Sequence, residues 1–171
     1  MIKLIVKFIA ALNGNLGKDQ IAAGFAWGLI LGLIPAGNIF WIVFFIFSFF
    51  FKHHHWSKLL FMTVVKLFLG AINPLLDIAG WEILHIAAMQ PFYTMLFNMP
   101  LMPLTGFNNT LVAGALVCGP LLWFPVFFLA RLLVPLFRKT FIPKIRENKI
   151  VKAILKFPLF AILDKAVKAA S

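Results

Sequence analysis

Few side chains in this sequence could do chemistry, and their spacing narrows what that chemistry could be. His53, His54 and His55 are consecutive. Three histidines suggest metal ligation, but neighbouring helix positions diverge, and neither a carboxylate nor a cysteine accompanies them. The run from Lys52 to Lys58, with Trp56 inside it, suits instead a basic, aromatic segment at a membrane–water boundary. The densest polar set follows: Lys66, Asn73, Pro74, Asp77, Glu82 and His85, joined later by Arg131. Ionisable groups at membrane depth are expensive and tend to pair or to line water. Lys66, Asn73, Pro74, Asp77, Glu82 and Arg131 are therefore candidates for one polar membrane cluster. A solvated loop over 77–85 is the plain alternative, as is an Arg131 that snorkels to the interface. No serine or cysteine nucleophile stands beside a base. The expectation is a protein that is not an enzyme and uses no cofactor and no metal.

Packing is the other chemistry on offer. Gly24, Gly28 and Gly32 recur every fourth residue, along one ridge of a helix. In water each would cost about 1 kcal/mol relative to Ala. In lipid, small residues let a second backbone approach closely. The ridge reads as a helix-packing face, on which Gly28→Leu should disrupt and Gly28→Ala should be mild. Asp19 is a candidate N-cap, and Pro35-Ala36-Gly37-Asn38 carries turn chemistry. Pro35, Gly37 and Asn38 also form a candidate lipid-headgroup turn. Gly37 lets backbone approach a ligand, and the free N–H groups of the half-helix capped by Asn38 favour a phosphate.

Composition says which elements hold these residues. The chain has 171 residues, 63% hydrophobic and 12% charged, with mean hydropathy +0.99. Soluble domains average about 45–50% apolar and about 25% charged. The expected fold is an all-α integral membrane protein forming a single membrane domain over 1–171. Residues 1–13 form an amphipathic interfacial helix, a signal peptide being the competing reading. Residues 19–51 form two halves of about 20 Å each, against a hydrocarbon core of about 30 Å. That suits a short, broken re-entrant helical hairpin turning at Pro35–Asn38, or else two tilted spans. Residues 59–137 are the membrane core. Within it a run over 59–72 breaks at Asn73-Pro74, and 86–107 is irregular or re-entrant. A spanning helix over 111–137 is then kinked at Pro120 and Pro125. Shifting the sequence by 90 lays Ala23-Gly24 on Ala113-Gly114 and Pro35 on Pro125, a faint echo of the repeats seen in transporters.

Residues 138–171 form a basic amphipathic tail. Nine basic residues from Arg138 to Lys168, against Glu147 and Asp164, supply +7 of the net +11. Lys149, Lys152 and Lys156 share a face opposite Ile150, Val151, Ile154 and Leu155. The interleaved apolar residues point to anionic phospholipid headgroups, not nucleic acid. Basic helices at both ends put both termini in the cytoplasm.

The pattern IAxGFAxGxxxGxxPxGN, with NPLLDIAGWEIL downstream, resembles a family of small bacterial inner-membrane proteins of unknown function. That family is marked by an alanine–glycine helix, a Pro-x-Gly turn and a downstream Asn-Pro pair. The likeness covers 21–84, with a weaker one in the terminal span ending at Arg131, and falls on Gly24, Gly28, Gly32, Pro35, Gly37, Asn38, Asn73 and Pro74. The His-rich insertion after Phe51 and the lysine at 66 depart from the pattern. Some relatives are encoded beside a large AsmA-like envelope protein. The resemblance implies a non-enzymatic inner-membrane component of an envelope complex, assisting phospholipid transfer with a larger membrane or periplasmic partner. A small transporter or channel with a polar midplane site is the alternative.

Overall fold

The structure is a computed structural model that describes residues 17–147, with side chains described as far as Thr140. The expected helices over 1–13 and 149–168, and with them Lys149, Lys152 and Lys156, lie outside the described residues. Among the described residues the fold is all-α. Six α-helices occur there: α1 (Lys18–Leu33), α2 (Ile39–Ser48), α3 (His55–Leu67), α4 (Leu69–Leu84), α5 (Gln90–Phe97) and α6 (Thr110–Glu147). Short 3-10 turns at Ala87–Met89 and Met102–Thr105 flank α5.

The centre of the fold is α1. It is buried over most of its length from Ile21 to Leu33, so its sequence is apolar all round. It packs along α3 on one side and α6 on the other. Its N-cap is Gly17, not Asp19; Asp19 sits in the first turn, where a carboxylate suits the helix dipole. The chain reverses at Pro35–Asn38, with Gly37 at φ +86°, a conformation open to glycine. Asn38 caps α2 by accepting from the Phe40 N–H at 2.8 Å. α2 then runs back along α1. Trp41 Nε1 donates to the Leu31 carbonyl at 2.9 Å, and Trp27 meets the rings of Phe47 and Phe51 at 5.9 Å and 5.2 Å. α3 returns parallel to α1, with Gly24 facing His54 and Ser57, Gly28 facing Lys58 and Phe61, and Gly32 facing Val65.

Three boundaries differ from the sequence expectation. The break expected at Asn73-Pro74 falls at Phe68, where α3 and α4 meet at 83°. α4 passes through Pro74, whose missing N–H costs one bond to Gly70 in an exposed first turn. Asp77 and Glu82 are consequently on a helix and not in a loop. Finally, α6 runs from Thr110 to Glu147, about 57 Å, through Pro120, Pro125, Pro135 and Pro143. Each proline removes single bonds without ending the helix. α6 thus continues through 138–147, the first part of the expected basic tail. α6 runs antiparallel to α4 and then to α1, bringing Gly114 against Leu76, Gly119 against Ile30 and Arg131 beside Asp19.

Candidate functional site

α2 and α3 meet at a joint built around Lys58, which is 1% exposed. Its Nζ donates to Ser48 Oγ at 2.8 Å and lies 4.9 Å and 4.3 Å from the ring centroids of Phe45 and Phe49. Ser48 in turn donates to the Phe45 carbonyl at 2.6 Å. A hydroxyl and two ring faces thus stand where a carboxylate would usually be, and such cation–π contacts are strongest where water is excluded. The neighbouring loop is also turned inward. His54 Nδ1 pairs with the Ser57 hydroxyl at 2.7 Å and accepts the Ser57 N–H at 3.2 Å, capping α3. The His54 N–H donates to the Gln20 carbonyl at 2.9 Å. His53 Nδ1 bonds the Phe51 carbonyl at 2.8 Å, and its buried Nε2 has no partner. Burial lowers both His53 and His54 from 6.5 to about 4, so both imidazoles are neutral at neutral pH. Within the segment 52–58, Lys52 is exposed, while His53, Ser57 and Lys58 are buried against the rest of the chain.

The second lysine closes the other end of α1. Lys66 Nζ donates to the carbonyls of Gly32 at 3.4 Å and Ile34 at 3.2 Å. Those are carbonyls that a helix leaves free at its C-terminus, where a cation is favoured. In the adjoining turn, Asn38 Nδ2 donates to the Thr105 carbonyl while Oδ1 caps α2. Both ends of the Asn38 amide are therefore engaged within the chain. Gly37 is open, with nothing within 4 Å of an added Cβ.

The six residues expected in one polar cluster do not share contacts. Arg131 Nε bonds Asp19 Oδ1 at 2.8 Å, in an ion pair with both side chains about half exposed. Asp77 accepts from the Thr110 hydroxyl. Glu82 and Pro74 are exposed and Asn73 is half-buried. Lys66, Asp77 and Arg131 thus have three different partners. The physical reason is the bend at Phe68, which turns α4 and its carboxylates away from the axis of α3.

The glycine ridge lies against α3 within the same chain. A Cβ added at Gly24 would stand 2.6 Å from the His54 carbonyl oxygen, and one at Gly28 would stand 2.6 Å from that of Lys58. At Gly32 it would stand 2.6 Å from Val65 Cβ. A second close approach escaped the sequence reading. A Cβ at Gly80 would overlap the Thr110 carbonyl, and one at Gly114 would overlap the Leu76 carbonyl, so α4 and α6 cross glycine to glycine. Gly80 and Gly114 do not recur at helical spacing; the faint echo of Gly24 at Gly114 was the one available signal.

A protein of Treponema pallidum (strain Nichols), described as uncharacterized, is 30% identical over 159 residues, covering 93% of this chain and 98% of its own length. This chain belongs to that protein's family. No family model and no solved structure matches it.

In this member of the family two concavities accompany the packing described. α1, α3 and α6 leave an apolar groove of about 280 Å³, lined by Phe25, Phe61, Val126, Ala130, Val134 and Phe137 among others. The corner of α4 and α5 holds an open hollow of about 420 Å³ with Trp81, His85, Tyr93 and Asn98 in its walls. No three His, Cys, Asp or Glu side chains come together as a metal site among the described residues. Among the described residues, Lys58, Lys66, His54 and Asn38 brace helix ends and joints.

Proposed function

We propose that this protein is a non-enzymatic component of the bacterial inner membrane, with both termini in the cytoplasm, that assists phospholipid transfer with a larger AsmA-like partner. The observation that carries the membrane part is the apolar exterior. α6 is long and apolar enough over Thr110–Thr140 to cross a bilayer. Leu121, Phe124 and Leu132 stand 66%, 61% and 74% exposed on it, and Phe50 beyond α2 is 80% exposed. So much large apolar surface is stable against acyl chains and costly against water. Charge supports the orientation: Lys18, Lys52 and Arg131 lie toward one end of the α1 bundle. Between Lys66 and Arg131 the sequence holds Asp77 and Glu82 and no Lys or Arg. The transfer role and the partner rest on the family resemblance. The alternative, a transporter or channel, needs a shared polar site; the separate partners of Lys66, Asp77 and Arg131 lend it no support.

The test has two arms. Cysteines at Lys18, Lys52 and Ser171, in a Cys118→Ala background, should be shielded from an impermeant thiol reagent added outside the cell. A cysteine at Asp77 should be labelled; Ser57, 0% exposed, is unsuitable. Purification in mild detergent, with mass spectrometry of proteins and lipids, should return a larger envelope protein together with phospholipid. Outside labelling at Lys52 would overturn the orientation. Solute flux by the pure protein in liposomes, with no partner and no lipid recovered, would favour the transporter.

A further inference from the structure

Four aromatic rings line the corner where α5 follows the end of α4. Phe107, 8% exposed, is met by Tyr93 at 6.3 Å and 49° and by Phe97 at 6.2 Å and 56°. Rings at such angles form the sides of a cup and not a flush stack. Trp81 is the fourth, braced on His85 at 3.7 Å, while His85 Nδ1 donates to the Trp81 carbonyl at 2.9 Å. Two bonds to the last turn of α4 hold the corner. The Tyr93 hydroxyl donates to the Ile83 carbonyl at 2.9 Å, and Gln90 Nε2 to that of Leu84 at 2.6 Å. The hollow is therefore built before any ligand arrives.

Its walls hold oxygen acceptors and no carboxylate, lysine or arginine. Gln90, with its Nε2 donated, keeps Oε1 as an acceptor, and exposed Asn98 and Asn108 supply two more amide oxygens. The helix behind the walls is acidic. Asp77 accepts from the wall hydroxyl of Thr110, and Glu82 follows Trp81 on α4. Lys66 and Arg131, the basic residues that bound this stretch of sequence, are held by the α1 carbonyls and by Asp19. Thr110 also begins the segment apolar enough to cross a bilayer, so in the membrane reading the hollow lies at headgroup depth. Trp and Tyr are the rings that favour that depth.

We propose that this hollow binds the ammonium headgroup, ethanolamine or choline, of a zwitterionic phospholipid. The proposal rests on the membrane and lipid reading above and names for it a lipid class and a site. Chemistry selects the occupant. Tilted ring faces attract an organic ammonium through their quadrupoles, most strongly where water is displaced. Amide oxygens accept from a primary ammonium, and the carboxylates on α4 add attraction. A phosphate or carboxylate ligand would find no lysine or arginine in the walls and two acidic residues on α4. A neutral sugar can stack on the same rings but draws nothing from the acidic helix.

The experiment uses the full chain, labelled with fluorotryptophan, in nanodiscs of phosphatidylglycerol, which carries no ammonium. Trp81→Leu assigns the Trp81 fluorine signal among the five tryptophans. Choline and ethanolamine should shift that signal saturably. Inorganic phosphate, glucose and the uncharged tert-butyl analogue of choline should not. Asn98→Lys, at an exposed wall position, should weaken choline binding at least about fivefold, and Asn98→Asp should tighten it. Native mass spectrometry from mixed nanodiscs identifies the source. Wild type should retain phosphatidylethanolamine over phosphatidylglycerol, and Trp81→Leu should reduce that preference about fivefold. No shift with either ammonium, or an equal shift with glucose or the uncharged analogue, would overturn the site. Choline binding without any lipid preference would assign the hollow to a soluble amine and overturn the headgroup. Either failure, in a chain that still inserts and recovers phospholipid with a partner, leaves the membrane reading standing. A chain that never enters the bilayer would overturn both.

Discussion

Lys58 donates to Ser48 across the joint of α2 and α3, and among the described residues no carboxylate pairs with it. The ammonium is held by a hydroxyl and the faces of Phe45 and Phe49, so replacing it with an apolar side chain of similar length should cost little. Lys58→Met should melt in detergent at the wild-type temperature or above. Lys58→Ala should lose about 3 kcal/mol through the cavity it leaves. Lys58→Glu should be worst, because the ring faces repel a carboxylate. A Lys58→Met variant as unstable as Lys58→Glu would show that the cation itself holds the joint.

Gly28→Ala is expected to be damaging, against the mild effect that spacing suggested. Its Cβ would stand 2.6 Å from a backbone oxygen of α3, which cannot rotate away. The cost should be about 2 kcal/mol, typical of overpacking. Gly70→Ala is the control: nothing lies within 4 Å of its Cβ, so it should gain up to about 1 kcal/mol in helix propensity. Equal melting temperatures for the two variants would place α1 and α3 further apart than they are here.

Gly80→Ala and Gly114→Ala should each be at least as harmful as Gly28→Ala, since both would drive into carbonyls at the same crossing. Once one variant has separated α4 from α6, the second should add little. A double mutant whose loss equals the sum of the single losses would mean the two glycines act apart.

Acid should loosen the α2–α3 joint. His53 and His54 sit at about 4 in the folded protein against an ordinary value of 6.5. The unfolded chain therefore binds protons first. Stability is full above about pH 6.5 and falls as pH drops toward 4. A thermal melt series between pH 7.5 and 4.5 should show this decline, and His53→Gln/His54→Gln should flatten it. An unchanged slope in the double variant would assign the decline elsewhere.

The Asp19–Arg131 pair should contribute less than about 1 kcal/mol in a double-mutant cycle, because both side chains are about half exposed. Its coupling should shrink further in high salt. A salt-insensitive coupling well above that figure would mean the pair is shielded from water.

Much of this fold is legible in composition and local pattern. The all-helical class, the turn at Pro35–Asn38 and the irregular stretch after Ile86 follow from apolar run length and from where Pro, Gly and Asn fall. The capping role of Asn38 is equally local, because the N–H it satisfies lies two residues away.

Partnership was decided by the tertiary structure. Lys58 looks like a surface cation in the sequence, and only the return of α3 beside α2 buries it among rings contributed ten or so positions earlier. Lys66 looks like part of a polar site with Asp77, yet it meets the carbonyls at the end of α1, from far upstream in the chain. Gly80 and Gly114 carry no spacing that marks them, since each is defined by a helix elsewhere in the chain. Spacing along one helix fixes which residues share a face; what that face meets depends on bends such as the 83° turn at Phe68, set by the sum of packing contacts and by no single residue.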